Sequence, residues 1–353
     1  MGDSVVRLGF VGAGNITAYH LGALRKVAGA QATAICDIED RARARAQEFD
    51  IPGVYTDYRR MFEEAPIDAV VVAVPNFIHH EVTIAALEAG KHVLCEKPMA
   101  ISADLASDMV AAADKSGKLF AIGLVCRYAY SSQLARTMIA SGDLGEVYYA
   151  RALKVRRKGI PGWGTWFTQK SVSGGGPVID IGVHSLDLAW YAMGCPQPVS
   201  VTGITNAAFG PGKRGIGEWG KPNYNGAFDV EDMGAGFIRF ADGTAIYLET
   251  SWALNAPDVD TINIMGDKAG IEFTPLGKEL RIYSEIDNQL SNTVRTTDAG
   301  TLEAIFDSQM HNFIGAIADG TPLLAPGAHG LMVTRMLEAI YTSAATGQEV
   351  KLT

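Results

Sequence analysis

The sequence predicts an α/β protein with two domains, a doubly wound parallel sheet followed by a domain with a large, mostly antiparallel open sheet. The first third of the chain alternates short apolar strand patterns with helix patterns. Beyond about residue 145, longer strand patterns follow one another with few helices between them. The alternating pattern gives way to the strand-rich pattern near residues 123–130, so we place the domains at 1–125 and 126–353. A chain of 353 residues accommodates two domains of ordinary size.

In the first domain, strand and helix patterns alternate in the way that predicts a parallel sheet. The predicted strands are 5–11, 31–36, 54–55, 67–74, 91–95 and 119–124, and the predicted helices are 16–27, 41–48, 81–89 and 103–116. The segment 70–74 is a continuous, β-branched apolar run, which is typical of a strand buried on both faces. Because ligands bind at the carboxyl ends of such strands, polar residues directly after them are candidate site residues.

In the second domain, strand patterns dominate and two helix patterns close the chain. The predicted strands are 147–157, 199–205, 233–240 and 244–252, with more short strands through 282, and the predicted helices are 302–318 and 330–345. Asp242-Gly243 is a hairpin signal between two of the strands. These patterns predict a sheet with helices on one face. Two glycine-rich loops, 159–176 and 210–226, have a length typical of binding loops or lids.

The composition argues against several classes of partner. The chain has 30 Lys+Arg against 39 Asp+Glu, a net charge of −9, and no basic tract, which disfavours nucleic acids and anionic membranes. It has no apolar run of membrane-spanning length and no signal-peptide pattern. The four cysteines match no zinc-site spacing. We therefore expect a cytoplasmic protein with reduced thiols and no metal site.

A glycine turn follows the first strand and opens a helix, which predicts a dinucleotide site. Gly12 permits the tight turn, and Gly14 lets the backbone approach a pyrophosphate. Asn15 and Ile16 begin the helix whose N-terminus would hold that pyrophosphate. Thr17 stands where the G-x-G-x-x-G/A pattern has its third small residue, which makes close packing of helix on strand less assured. The alternative is a glycine turn of the same fold that binds no ligand.

An acidic residue ends the second strand and bears on the choice of cofactor. Asp37 lies 25 residues after Gly12, close to the place of a ribose-hydroxyl acceptor. Its carboxylate would accept hydrogen bonds from both ribose hydroxyls and repel a 2′-phosphate. This favours NAD, while Arg41 and Arg43 leave NADP open.

Polar residues also follow the next two strands of the predicted parallel sheet. Strand 67–74 is followed by Pro75, Asn76 and His79, and strand 91–95 by Glu96 and Lys97. Because these strand ends share one edge of the sheet, we expect the residues to line the cofactor crevice. For His79 the alternative is a cap on the helix that starts beside it.

Asp180 and His184 lie four residues apart, so on a helix they share one face. A carboxylate beside an imidazole fixes its tautomer and raises its basicity. Oxidation of a secondary alcohol needs such a base for the hydroxyl proton, and an ammonium such as that of Lys97 would stabilise the developing alkoxide. The alternative is an amphipathic helix with a chance Asp–His pair. Asp187 is either a supporting residue or a surface residue.

Together these motifs resemble the glucose–fructose oxidoreductase / inositol dehydrogenase / rhizopine-catabolism family (Gfo/Idh/MocA). The resemblance covers nearly the whole chain, and it rests on Gly12-Ala-Gly14, Pro75-Asn76-x-x-His79, Glu96-Lys97-Pro98, Asp180-x-Gly-x-His184, and the strand pair from Val230-Glu-Asp-Met to Ser251-Trp252. It implies an N-terminal Rossmann domain and a C-terminal α/β domain whose open sheet forms homodimers or homotetramers.

The resemblance also implies a function, namely NAD(P)-dependent oxidation or reduction of a sugar, a cyclitol or a related polyol. By position, Lys97, Asp180 and His184 match the residues for proton transfer and substrate binding. Asn76 and Glu96 match residues that line the nicotinamide. Loop or strand-end positions suggest four further substrate contacts, which are Tyr128, Arg156, Trp163 and Trp166.

Three other functions remain open at this stage. The first is glycosidase chemistry, in which tightly held NAD carries out a transient oxidation that permits elimination. The second is a regulator that binds dinucleotide or sugar without turnover, although a pure sensor has no need for Lys97, Asp180 and His184. The third is an imine or aldehyde reductase.

Overall fold

The computed structural model describes residues 5–297 and 300–352, which divide into two compact units. The first unit contains the described residues up to Tyr128 together with Thr301–Leu331. The second contains the described residues from Ala129 to Gly300 and those from Met332 onward. The chain thus crosses from the first unit to the second, returns to the first at Thr301–Leu331, and then continues in the second.

The first unit is built on a six-stranded parallel sheet in the order β3-β2-β1-β4-β5-β6. Its strands are β1 (Val6–Val11), β2 (Ala30–Cys36), β3 (Gly53–Tyr55), β4 (Ala69–Val72), β5 (His92–Cys95) and β6 (Phe120–Ile122). All four residues of β4 are buried, as expected of a central strand that is covered on both faces. The predicted doubly wound parallel sheet is confirmed.

The helices of this unit mostly coincide with the predicted ones. They are α1 (Asn15–Leu24), α2 (Glu39–Phe49), α3 (Tyr58–Glu64), α4 (His79–Glu88) and α5 (Ala103–Ser116). The sequence patterns did not predict α3, because two turns are too short for a clear 3.6-residue period. Its start is fixed by Asp57, whose side chain accepts a hydrogen bond from the backbone N–H of Arg59 at 2.8 Å.

The second unit carries a nine-stranded sheet in the order β14-β13-β12-β11-β7-β10-β9-β8-β15. Its strands are β7 (Val147–Val155), β8 (Pro198–Asn206), β9 (Met233–Phe240), β10 (Ala245–Ser251), β11 (Val259–Gly266), β12 (Ala269–Phe273), β13 (Glu279–Ile286), β14 (Gln289–Thr296) and β15 (Val350–Lys351). The β7–β10 pair is parallel and the other neighbours are antiparallel. This confirms the predicted mostly antiparallel open sheet.

The remaining helices are α6 (Tyr130–Ala140), α7 (Lys170–Ser173), α8 (Pro177–Asp180), α9 (Gly182–Ala192), α10 (Leu302–Asp319) and α11 (Gly327–Thr346). The apolar side chains of Ile246 and Leu248 on β10 are buried, whereas Tyr247 and Glu249, which alternate with them, are half-buried. This alternation leaves one face of the sheet beneath helices, including α9, and the other face less covered. Among the described residues, no helix is both long enough and apolar enough to cross a membrane.

The division into units differs from the predicted domains 1–125 and 126–353. The change between Tyr128 and Ala129 is close to the predicted boundary, but Thr301–Leu331 packs with the first unit. The reason is an apolar contact between α10 and α1, in which the Phe306 ring stacks on Tyr19 with centroids 5.3 Å apart. Sequence periodicity identified the helix at 302–318, but it carries no information on which unit that helix packs against.

Candidate active site

The turn between β1 and α1 has a backbone conformation that requires glycine. Gly12 has φ +102°, and a Cβ at this position would lie 2.1 Å from the carbonyl oxygen of Ala73. The hydroxyl of buried Thr17 donates a hydrogen bond to the Gly12 carbonyl at 2.8 Å. The departure from the glycine pattern at Thr17 therefore contributes a contact that holds the turn.

Asp37 is placed beside this turn, at the end of β2. Its Oδ2 accepts a hydrogen bond from the backbone N–H of Ala13 at 2.7 Å, and its Oδ1 accepts one from that of Ile38 at 2.6 Å. Of the two arginines that left NADP open, Arg43 forms an ion pair with Glu39 at 2.6 Å. This turn thus has a fixed carboxylate at the position where the sequence predicted a ribose acceptor.

The start of α1 fits a dinucleotide phosphate. Gly14, Asn15 and Ile16 are exposed, and no side chain caps the helix at Gly14. Helix N-termini of this kind offer backbone N–H groups and a favourable dipole to an anion. A Cβ at Gly14 would contact nothing within 4 Å, which leaves room for a ligand to approach the backbone.

Three residues predicted to bind the cofactor follow β4 and help to shape its end. Pro75 precedes a short 3₁₀ turn that Asn76 begins, and Asn76 is 9% exposed. The His79 ring is buried, and its two nitrogens lie 2.8 Å from the Pro98 carbonyl and 2.9 Å from the Val74 carbonyl. Burial lowers the pKa of His79, whereas its contacts with the two carbonyls raise it. His79 therefore braces the ends of β4 and β5, and this argues for a supporting role rather than direct cofactor contact.

Glu96 and Lys97 follow β5, where the sequence predicted them. Glu96 is 8% exposed, and its Oε1 lies 2.7 Å from Nε2 of the fully buried His20 on α1. Its Oε2 accepts a hydrogen bond from the backbone N–H of Lys97 at 3.2 Å. The side chain of Lys97 is half-buried. No local sequence pattern predicts the His20–Glu96 contact, because 76 residues separate the two.

The segment with Asp180 and His184 forms two helices rather than the single helix we predicted. Asp180 ends α8, His184 lies in the first turn of α9, and Ile181 between the helices has φ −111°. Within residues 177–192, only Asp180 and His184 are accessible; each is half-buried and the rest are buried. A buried segment with two accessible polar side chains is typical of a site and not of a chance amphipathic pair. Asp187 is 1% exposed, so it is not a surface residue.

A fully buried tryptophan fixes Asp180. The indole N–H of Trp252 donates a hydrogen bond to Oδ2 of Asp180 at 3.1 Å. Trp252 also packs with Ile181, Trp163 and other residues of a small apolar cluster. The sequence analysis noted Trp252 only as part of a resemblance, because its contact with Asp180 spans 72 residues.

The two glycine-rich loops of this unit join each other. Backbone N–H groups of Ile160 and Gly162 donate to the carbonyls of Gly215 at 2.9 Å and Trp219 at 2.8 Å. Asp232 is buried, and its carboxylate accepts hydrogen bonds from the backbone N–H groups of Phe209 and Gly210. The loops therefore form one supported layer rather than two independent lids.

The four predicted substrate contacts have different surroundings. Trp163 is 4% exposed, and its indole N–H donates to the Gly210 carbonyl at 2.7 Å, which argues for packing rather than ligand contact. Trp166 is half-buried and stacks on Phe167 with centroids 3.8 Å apart. Arg156 is half-buried, and its backbone is held by Ser251. Tyr128, in the first unit, donates its hydroxyl to Asn312 Oδ1 at 2.9 Å.

Two family models match this chain. Residues 6–124 match the model described as "Oxidoreductase family, NAD-binding Rossmann fold". Residues 132–272 match the model described as "GFO/IDH/MocA C-terminal domain". Together the matched segments span well over half of the chain.

Individual relatives agree with these matches over the full length. D-glucoside 3-dehydrogenase of Escherichia coli (strain K12) is 35% identical over 358 residues, which cover 100% of this chain and 99% of the relative. 1,5-anhydro-D-fructose reductase of Ensifer adhaerens is 28% identical, and 98% of each chain is covered. The solved structure of levoglucosan dehydrogenase in complex with NADH superposes with a TM-score of 0.88 at 25% identity, covering 99% of both chains.

These findings confirm the predictions of NAD as cofactor and of an oxidoreductase. They also agree with the geometry of the Gly12 turn, the Asp37 carboxylate and the open start of α1. The chain belongs to the Gfo/Idh/MocA family of NAD-dependent oxidoreductases.

Proposed function

We propose that this oxidoreductase oxidises a secondary alcohol of a pyranoside or a closely related sugar, with the C3 hydroxyl of a glucoside as the first candidate. The observation that carries the proposal is the accessibility of Asp180 and His184 alone within the buried segment 177–192. The printed activity of the E. coli relative supports the choice of a glucoside and of C3.

The proposed chemistry assigns one task to each ionisable group. The alcohol loses a hydride from carbon, for which bound NAD is the acceptor, and a proton from oxygen. His184 takes the proton, and Asp180, held by Trp252, orients the imidazole. The ammonium of Lys97 donates a hydrogen bond to the same oxygen and stabilises its developing negative charge.

The proposed cofactor contacts lie in the first unit. Backbone groups of Gly12, Gly14, Asn15 and Ile16 hold the pyrophosphate, and Asp37 accepts hydrogen bonds from the adenosine ribose. Pro75, Asn76, His79, Glu96 and Lys97 complete the predicted set at the nicotinamide end, with His79 acting through its carbonyl contacts. Asp37 favours NAD because its charge repels a 2′-phosphate, and direct comparison with NADP tests this assignment.

Aromatic and basic side chains supply the proposed sugar contacts. The apolar faces of pyranose rings pack well on aromatic rings, and arginine suits hydroxyl groups. Trp166 and Arg156 are half-buried and fit this role best among the predicted residues. Trp219, at 57% exposure in the second loop, is a further candidate that the sequence analysis missed. Tyr128 keeps a proposed role as a contact from the first unit.

We propose assembly into a homodimer or homotetramer through the less covered face of the nine-stranded sheet. The rings of Tyr149 on β7 and Phe237 on β9 stack there with centroids 6.4 Å apart. Tyr247 on β10 is half-buried on the same face. Light scattering on the purified protein tests the assembly. We also propose a cytoplasmic location, as the cysteine spacings led us to expect, and cell fractionation tests it.

The substrate proposal is tested with a panel of alkyl glucosides, other pyranosides, inositols and anhydrosugars, each with NAD and with NADP. We expect NADH to accumulate with a glucoside, and NMR of the product to place the new carbonyl at C3. Sugar cleavage without net NADH formation would instead indicate glycosidase chemistry. Reduction of imines or aldehydes with no activity on any sugar would overturn the substrate class.

The role of Lys97 is tested by Lys97→Met with Lys115→Met, an exposed lysine on α5, as the control. We expect kcat with the best sugar to fall about 100-fold or more for Lys97→Met, because one electrostatic donor at a reacting oxygen has that effect. Unchanged turnover with intact NAD binding would remove Lys97 from the mechanism.

A further inference from the structure

One buried carboxylate, that of Glu231, holds the start of α8. Its Oε2 accepts a hydrogen bond from the backbone N–H of Gly176 at 2.9 Å, and its Oε1 accepts one from that of Val178 at 3.1 Å. Glu231 is 8% exposed. The first N–H groups of a helix have no partners within the helix, and a carboxylate there also favours the helix dipole. Glu231 thus fixes the helix that ends in Asp180.

A tyrosine from α11 completes this contact. The hydroxyl of Tyr341 donates a hydrogen bond to Glu231 Oε1 at 2.8 Å. Glu231 and Tyr341 lie so close to Gly175 and Gly176 that no larger residue fits at either position. A Cβ at Gly175 would be 2.1 Å from the Tyr341 oxygen, and one at Gly176 would be 2.0 Å from the Glu231 carbonyl oxygen. The glycines before Pro177 are therefore explained by the close approach of Glu231 and Tyr341.

The surroundings keep the Tyr341 hydroxyl protonated. Burial raises its pKa well above the ordinary value, and the carboxylates of Glu231 and Asp180 raise it further. Burial raises the pKa of Glu231, whereas the N–H of Gly176 and the Tyr341 hydroxyl lower it.

Helix α8 has few bonds of its own to fix its position. It has only four residues, and its backbone bonds run from Asp180 to the Gly176 carbonyl at 3.0 Å and from Ile181 to the Pro177 carbonyl at 3.1 Å. Helices this short gain little stability from propagation, so outside contacts decide their orientation. Loss of the contacts at its start would shift Asp180, which lies one turn further along.

We propose that Glu231 and Tyr341 form a positioning pair for the hydride-transfer reaction, which fixes the start of α8 and thereby orients Asp180 and His184. Neither residue exchanges a proton with substrate in this account. The inference rests on the proposed function, in which His184 takes the hydroxyl proton.

The pair is tested with Glu231→Gln and Tyr341→Phe. Gln keeps the size of Glu but puts an amide NH₂ where one carboxylate oxygen accepted a backbone N–H, and Phe removes only the hydroxyl. We expect kcat with the best sugar to fall about 10- to 100-fold for each variant, since small misplacements of catalytic groups have effects of this size. The dissociation constant for NAD, measured by fluorescence titration, is expected to stay within about 2-fold because the first unit is unchanged.

A second tyrosine–glutamate pair, half-buried Tyr58 and exposed Glu81, supplies controls. The Tyr58 hydroxyl donates to Glu81 Oε1 at 2.8 Å, so the chemistry is the same in a part of the first unit outside the proposed sites. We expect Tyr58→Phe and Glu81→Gln to keep wild-type kcat. If kcat falls as much in these controls as in Glu231→Gln and Tyr341→Phe, the proposal is overturned, because the effect would then not depend on a position at the start of α8.

A double variant separates positioning from general destabilisation. In the His184→Ala background, we expect Glu231→Gln or Tyr341→Phe to lower the residual kcat by less than about 2-fold, because the group they orient is gone. A full, additive loss in that background would show that the pair acts elsewhere and would overturn the inference. If Glu231→Gln does not fold, Tyr341→Phe decides the question alone.

The result of His184→Ala alone distinguishes the two proposals. If His184→Ala is inactive while folded Glu231→Gln and Tyr341→Phe both retain wild-type kcat, the positioning role is wrong and the proposed function stands. If His184→Ala retains wild-type kcat, the proposed function fails, and the positioning role fails with it.

Discussion

The glycine turn of the first unit and the Asp180–His184 segment of the second both present a few polar groups from buried backbone, but they are held differently. The turn is held by residues at shorter separations along the chain, since Thr17 lies five residues from Gly12 and Asp37 lies 24 residues from Ala13. The Asp180–His184 segment is held by Glu231, Trp252 and Tyr341, which lie far along the chain. Its geometry therefore depends on the whole second unit.

This difference indicates where substitutions should act. Changes at the turn should affect cofactor binding through local backbone geometry. Changes at remote residues of the second unit should affect turnover while cofactor binding persists. The predictions below test that separation, beginning with the largest expected effect.

The sharpest test of the turn compares Gly12→Ala with Gly14→Ala. Alanine at Gly12 meets the Ala73 carbonyl and a positive φ, so we expect about 2–4 kcal/mol of lost stability and at least about 100-fold weaker NAD binding. Gly14 has open space around its Cα, so Gly14→Ala should keep stability within about 0.5 kcal/mol while NAD binding weakens. Thermal unfolding and fluorescence titration measure both. Equal destabilisation of the two variants would contradict this description of the turn.

The Trp252→Phe substitution tests the remote support of Asp180. Phe keeps most of the apolar packing but removes the indole N–H that Asp180 accepts. We expect kcat to fall about 10-fold, because a misoriented carboxylate no longer fixes the His184 ring. Trp190→Phe is the control, since its indole N–H donates to the Pro196 carbonyl instead. Steady-state kinetics measures kcat. A lower kcat with unchanged NAD affinity in Trp252→Phe would support this role of Trp252, and an unchanged kcat would contradict it.

Asp37→Asn tests the carboxylate that favours NAD. The amide keeps the shape of the side chain and removes its charge, so repulsion of a 2′-phosphate is lost. We expect the preference for NAD over NADP, measured as a ratio of kcat/KM values, to fall about 10-fold. An unchanged ratio would show that Asp37 does not set the preference.

His79 should make the stability of the first unit depend on pH. Burial lowers its pKa from the ordinary 6.5, so its contribution to stability is complete above that pH and is lost as the pH falls through the folded-state pKa. The unfolding free energy of the wild type is expected to fall as the pH drops from neutral to mildly acidic. In His79→Gln we expect this fall to be smaller by about 1 kcal/mol per pH unit. The exposed His311 supplies the control variant His311→Gln. Denaturant titrations at several pH values measure the slope, and an unchanged slope in His79→Gln would contradict the assignment.

The fold was predictable where short-range patterns determine it. The buried run of β4, the glycine turn at Gly12 and the Asp242-Gly243 hairpin depend on neighbouring residues, and the structure shows each in place. The short helix α3, the helix α6 and the packing of α10 with the first unit were not predicted. Helix α3 has only seven residues, too few for a clear 3.6-residue period, and the packing of α10 depends on tertiary contacts, such as Phe306 on Tyr19, that no local window contains.

Candidate site residues could be proposed from the sequence, but their geometry could not. Asp180 and His184 were proposed from their spacing, which does not reveal the break between the two helices at Ile181, a residue that packs in a cluster with Trp252 and Trp163. Glu231 and Asp232 offered one signal, since adjacent acidic residues between Val230 and Met233 at the start of a strand are unusual unless their carboxylates are satisfied. Their partners lie far along the chain and could be found only in the folded structure.

The most direct test of the account is a single-turnover measurement on His184→Ala with saturating NAD and the best sugar, alongside the NAD dissociation constant. If His184 is the general base, the NAD dissociation constant stays within about 2-fold of wild type and NADH formation slows about 1,000-fold, the size expected for loss of such a base. NADH formation at the wild-type rate, or a slow rate that higher NAD concentration restores, would contradict it.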